Sequence, residues 1–114
     1  MKQDGSNSEK KLQQHILGTA GLGGVWNPVD HEVSVAAILK ALDAGMMAID
    51  TAPAYADAEM LVGRALQQWR GARPLISTKV GRLKSYASDK GIYDYSAKGM
   101  AASLQHSLDT LGIS

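Results

Sequence analysis

Three residues of this 114-residue chain could act together on a proton, and each sits at or just past the end of a short apolar run. Asp50 closes the run Met46-Met47-Ala48-Ile49, and Tyr55 follows it across the small-residue turn Thr51-Ala52-Pro53-Ala54. Lys79 closes a second run, Leu75-Ile76-Ser77-Thr78. A free phenol has a pKa of about 10 and is a reluctant acid at neutral pH. A nearby ammonium stabilises the phenolate and makes the proton easier to give. A carboxylate beside that ammonium keeps it charged and oriented. The trio could therefore act as a general acid towards an oxygen that gains negative charge, and as a base in the reverse direction. Taken singly, Asp50 reads as a turn acid, Tyr55 as a loop aromatic and Lys79 as a solvated lysine. The case rests on the three together.

For these side chains to meet, the runs that carry them must lie side by side with the same polarity. His15-Ile16-Leu17 is a candidate first strand, followed by the small-residue loop Gly18-Thr19-Ala20-Gly21-Leu22-Gly23-Gly24. Asn27-Pro28 blocks a helix there. Asp30 is an expected N-cap, with a helix to about Ala44 whose apolar face is Val33, Ala37, Ile38, Ala41 and Leu42. Gly45 stands where a left-handed C-terminal glycine belongs. Met47-Ala48-Ile49 is the second strand. A second helix is expected over 57–69, with Met60, Leu61, Leu66 and Trp69 inward. Gly71 and Pro74 mark the next turn, and 75–78 is the third strand. A loop over 80–95 carries Tyr86, Tyr93 and Tyr95. Ser96 caps a third helix ending near Leu111, with Gly112 as its stop and Met100, Leu104, Leu108 and Leu111 as its apolar face. Strand and helix alternate three times, which argues an α/β fold with a parallel sheet and helical crossovers. Sites in such folds collect at the C-terminal ends of strands, where Gly18, Asp50, Tyr55 and Lys79 fall.

The formal net charge of +1 implies no large basic face for nucleic acid. With no cysteine, disulfide and thiolate chemistry are excluded. No apolar run approaches the roughly 18 residues of a membrane span. The start, MKQDGSNSEKK, lacks the apolar stretch of a secretory signal. Residues 1–11 are expected to be a flexible tail, residues 12–114 the folded part, and the cytoplasm the location.

The wording around these residues resembles the aldo-keto reductase family. DTAPAYADAEMLVGRAL is similar to the family's signature around its catalytic acid and tyrosine, and GTAGLGG to its first-strand loop. STKVGRL is similar to its third strand with the catalytic lysine, and YDYSAKGMAASLQHSLDTLGIS to its third crossover helix and the turn beyond. The similarity runs from about His15 to Ser114, in several separated motifs in the right order. It implies a TIM-type (β/α)8 barrel, with about the first three βα units in this chain. It also implies an oxidoreductase that uses NADP(H) or NAD(H) to interconvert an aldehyde or ketone, including sugars, with its alcohol or lactone. In the roles the resemblance implies, Tyr55 is the acid/base, Lys79 and Asp50 complete the catalytic set, and Gly18, Thr19, Ala20 and Asp50 lie at the cofactor. No metal is implied. KVGRL followed by Tyr-Asp-Tyr-Ser leans towards the bacterial sugar dehydrogenase and pyridoxal-oxidising branch.

Two features depart from the family pattern. Met46-Met47 replaces its usual aromatic-basic pair. The resemblance also puts a catalytic histidine on a fourth strand, which His15, His31 and His106 do not match. On this reading the 114-residue chain alone is expected to be inactive, and its exposed sheet edges would favour self-association. One alternative is a non-catalytic fragment or interaction module that retains the motif. Another is a Rossmann-type domain, whose fingerprint fails because Trp26 stands where the third glycine belongs. Substrate, reaction direction and NAD against NADP stay open.

Overall fold

In the computed structural model, residues 15–82 and 94–114 are described. The expected N-terminal tail, together with Tyr86 and Tyr93, lies outside the described residues. Three short strands, β1 (Ile16–Gly18), β2 (Ala48–Asp50) and β3 (Leu75–Ser77), form a sheet of order β1-β2-β3. Both pairings are parallel, and they align three rows: Ile16–Ala48–Leu75, Leu17–Ile49–Ile76 and Gly18–Asp50–Ser77. Successive side chains of a strand point to opposite faces. The middle row therefore faces the helices, with Ile49 fully buried, while Ile16 and Leu75 on the other face are 64% and 74% exposed. β1 and β2 are shifted one residue from the expected runs. Gly18 and Asp50 are thus paired strand residues and not the first residues of loops.

The glycine-rich segment after β1, expected to be a loop, instead makes one helical turn, α1 (Ala20–Gly23). The Gly23 amide donates to Thr19 O at 2.9 Å, and Gly24 leaves the turn at φ 94°. In α2 (His31–Asp43), Asp30 is the N-cap as expected, its carboxylate accepting from the Val33 amide at 3.1 Å. Gly45, at φ 108°, turns the chain into β2. The inward face of α2 is Ser34, Val35, Ile38 and Leu42, and Val33 is 67% exposed, contrary to the expected face. Ser34 is buried because its hydroxyl donates to Leu22 O at 2.8 Å. A polar residue satisfied in this way is invisible to a pattern of apolar residues.

α3 (Ala58–Gln68) buries Ala58, Glu59, Leu61, Val62, Gly63 and Ala65, whereas Met60, Leu66 and Trp69 pack at the margin of the core. α4 (Ala97–Leu111) begins at Ser96, whose hydroxyl accepts from the Gly99 amide at 3.0 Å, and ends at Gly112 with φ 71°. Its buried residues are Ser103, Ser107 and Leu111; Met100 and Leu104 are 36% and 46% exposed and Leu108 half-buried. The expected apolar face is thus displaced. Ser103 is satisfied by the Gly81 amide, which donates to its hydroxyl at 3.3 Å, and Leu111 lies at the closest approach to α3, where a Cβ on Gly63 would come within 2.6 Å of Thr110 O.

The core joins Ile38, Leu42, Ile49, Leu61, Val62 and Leu111, each contributing on the order of 1.5–3 kcal/mol by burial. Among the described residues, no helix is long and apolar enough to cross a membrane. Strand order β1-β2-β3 is shared by an arc of a parallel barrel and by half of a doubly wound sheet, so order alone does not separate them. The glycine-rich segment argues against the second. Residues 24–30 separate α1 from α2, so these glycines do not lead directly into the crossover helix.

Candidate active site

Parallel pairing puts the C-terminal ends of β1, β2 and β3 on one rim. Asp50 and the backbone of Thr51 meet Lys79 there. Lys79 Nζ lies 3.1 and 3.3 Å from the two carboxylate oxygens of Asp50 and 3.1 Å from Thr51 O. It also sits over the ring of Tyr55, 4.9 Å from the centroid. Partial burial pushes the Lys79 ammonium down. Its hydrogen bonds to the Asp50 carboxylate and its closeness to Tyr55 outweigh that, so its pKa is raised above the ordinary value. An ammonium held in this way stays charged beside the phenol at any working pH near neutrality.

Tyr55 is delivered by a turn that is buried at its base. Thr51, Ala52 and Pro53 are covered, and the Tyr55 amide donates to Ala52 O at 3.1 Å. Ala56, 4% exposed, takes a left-handed conformation at φ 50°. A non-glycine residue there costs about 1–2 kcal/mol. The conformation reverses the chain so that Tyr55 O accepts the Ala58 amide at 2.9 Å as α3 begins. The turn is also tied to α1, because the Asp57 amide donates to Gly23 O at 3.0 Å.

A cleft of about 420 Å³ opens beside these residues, lined by residues 18–22, Trp26, Asp50 and Tyr55. Its floor at Gly18 is open: a Cβ there would meet nothing within 4 Å. Ala20 is half-buried. Thr19 differs, being fully buried with its hydroxyl donating to Asp50 O at 3.0 Å. It ties the ends of β1 and β2 together, and its side chain is turned into the protein. The structure thus gathers Asp50, Tyr55, Lys79, Gly18 and Ala20 around one rim, with Thr19 beneath it. His15 and His106 are exposed, and His31 Nε2 lies 3.1 Å from Asp57 Oδ2.

Several neighbours of the site were not apparent from sequence. Trp26, 70% exposed, stands at the edge of the cleft. Its signal was a lone large aromatic just after a glycine-rich stretch. Glu59, 5% exposed, accepts from the Thr78 hydroxyl at 2.7 Å. Its signal was helical phase, since it lies one turn from the inward Val62 and Gly63.

The profile of the Aldo/keto reductase family matches residues 16–114. The chain is 32% identical over 115 residues to the NADH-specific methylglyoxal reductase of Escherichia coli (strain K12), covering 90% of this chain and 35% of that protein. It is 42% identical over 69 residues to pyridoxal 4-dehydrogenase of Microbacterium luteolum, covering 59% of this chain and 20% of that protein. Among solved structures, glycerol dehydrogenase from Gluconobacter oxydans superposes with a TM-score of 0.71 at 32% identity, covering 86% of this chain and 32% of that one. The chain thus spans about a third or less of the length of these relatives.

Proposed function

This chain belongs to the aldo/keto reductase family, and on that premise we propose that it carries the acid–base residues of a nicotinamide-dependent carbonyl oxidoreductase. Its three strands are an arc of the family's (β/α) barrel, and the doubly wound alternative falls with that membership. The observation that carries the proposal is the placement of Lys79 Nζ, 3.1 Å from Asp50 Oδ1 and over the Tyr55 ring, on the C-terminal rim of the sheet.

When bound, a nicotinamide supplies or accepts the hydride. The cleft suits its flat end, because Gly18 leaves open space and Ala20 adds only a methyl. Gly18, Ala20, the backbone of Thr19 and the Asp50 carboxylate would hold that end. The rest of the chemistry belongs to this chain's side chains. As a substrate carbonyl is reduced, its oxygen gains negative charge, and the Tyr55 hydroxyl donates a proton there. Lys79 steadies the phenolate that remains. Asp50, with two oxygens on Nζ, fixes the direction of that ammonium. In alcohol oxidation the same phenolate takes the proton back.

The substrate is a small aldehyde, ketone or sugar. The names of the methylglyoxal, pyridoxal and glycerol enzymes support that class, and the cofactor is NADH or NADPH. The test uses an active protein that contains residues 16–114, assayed by oxidation of NADH and NADPH with methylglyoxal. Tyr55→Phe is expected to lower kcat about 10²–10⁴-fold with cofactor affinity nearly unchanged. Lys79→Met should cost a comparable factor, and the double variant little more, because the two act as a unit. A near-normal kcat for Tyr55→Phe, or losses that simply multiply, would overturn the mechanism.

A further inference from the structure

Glu59 is a buried acid that the chemistry above does not use. It lies in the first turn of α3 and is 5% exposed, and the hydroxyl of Thr78 donates to its Oε2 at 2.7 Å. A carboxylate is favoured near a helix N-terminus, yet burying one costs several kcal/mol unless it is hydrogen-bonded. A buried acid paired across two elements is therefore a position where structure, not solubility, holds the residue.

The two elements it joins are the two that carry the site. α3 begins immediately after the Tyr55 turn, with the Ala58 amide bound to Tyr55 O. Thr78 directly precedes Lys79. From Leu75 to Lys79 exposure alternates residue by residue: Leu75, Ser77 and Lys79 are exposed, Ile76 and Thr78 half-buried. Extended chain sends neighbours to opposite faces, and a slip of one residue exchanges them. Anchoring Thr78 against the helix layer therefore aims Lys79 at the opposite face, where Asp50 and Tyr55 wait.

We propose that Glu59 and Thr78 form a positioning clamp that fixes the strand end carrying Lys79 against the helix that follows Tyr55, and so sets the Lys79–Tyr55–Asp50 geometry. Its bearing on catalysis rests on the reading of these three residues given above, but the clamp is tested without turnover. Lys79 Nζ over the Tyr55 ring places the end of that side chain in the ring's shielding zone. In the 114-residue chain with isotopically labelled lysine, the Lys79 ε-methylene signals are expected upfield of those of the other lysines. Thr78→Val, which keeps the shape and removes the hydroxyl, should lose that displacement. Thr78→Ser, which keeps the hydroxyl, should retain it. Thr78→Val leaves the Glu59 carboxylate buried and unpaired and so risks unfolding. Glu59→Leu/Thr78→Val removes both partners, leaves no orphaned polar group, and should also lose the displacement. A dispersed amide spectrum with Lys79 signals unmoved in either Val-containing variant would overturn the clamp. In an active protein the same variants should lower kcat with KM nearly constant. Failure there with the spectral result intact would count against the catalytic reading, not the clamp.

Discussion

Replacing Gly23 by alanine tests whether the glycine-rich turn is built for close approach to the tyrosine. A Cβ at Gly23 would lie 2.3 Å from Tyr55 O, 2.7 Å from the Ala58 amide nitrogen and 2.7 Å from Ala58 Cβ. Two of these three atoms are backbone, so no side-chain rotation relieves the overlap. Opening the shortest contact to even 3.0 Å needs about 0.7 Å of movement. That movement falls on the Tyr55 turn, which is already held by the Asp57 amide on Gly23 O and the left-handed Ala56. Overpacking of this kind costs typically 1–3 kcal/mol. A misplacement of about 1 Å at reacting groups can cost on the order of 10²-fold in rate. The assay is urea denaturation of the 114-residue chain followed by circular dichroism, with Gly18→Ala alongside. An alanine at Gly18 meets nothing within 4 Å and should leave stability within about 0.5 kcal/mol of the parent. Gly23→Ala should lower the denaturation midpoint and shift the Tyr55 ring resonances. A Gly23→Ala midpoint equal to that of Gly18→Ala, with Tyr55 signals unmoved, would refute the reasoning.

Lys79 carries a pKa raised in the folded state, so its stabilising effect is complete below the ordinary lysine range and is lost as pH rises through the folded value. Denaturation midpoints on either side of that range should therefore fall more steeply with pH for the parent than for Lys79→Met. Leu61→Ala, at a position with no exposed surface, should destabilise by about 2–5 kcal/mol in the same denaturation assay. Asp30→Ala removes the acceptor of the Val33 amide and should cost about 0.5–2 kcal/mol, while Asp30→Asn should recover most of it.

Legibility followed the range of each interaction. The caps at Asp30 and Ser96 and the glycine stops at Gly45 and Gly112 were readable because a capping bond spans a few residues and depends on residue type alone. The strands were readable as short apolar runs, to within a residue at their ends. Their parallel alignment followed from alternation with helices. It was enough to anticipate Asp50, Tyr55 and Lys79 at one rim, since parallel strands bring like ends together.

Apolar spacing placed Ile38, Leu42, Leu61 and Leu111 inward, as found, but the rest of each inward face was decided only in three dimensions. Apolar spacing on α2 and α4 pointed to Val33, Met100 and Leu104. The folded chain buries Ser34, Ser103 and Ser107 instead. Ser34 finds Leu22 O, and the Ser103 hydroxyl receives the Gly81 amide at 3.3 Å. Such partners are remote in sequence, and no local pattern encodes them. The same holds for Thr19, which the resemblance put at the cofactor but whose hydroxyl is committed to Asp50 O. It holds again for Glu59 and Thr78, which are unremarkable until two elements are packed. Residue type and spacing were enough to name the candidate acid, phenol and ammonium and the elements that bear them. The distances between them came only with folding, because they depend on buried hydrogen bonds and close backbone approaches formed when α1, α3 and β3 meet.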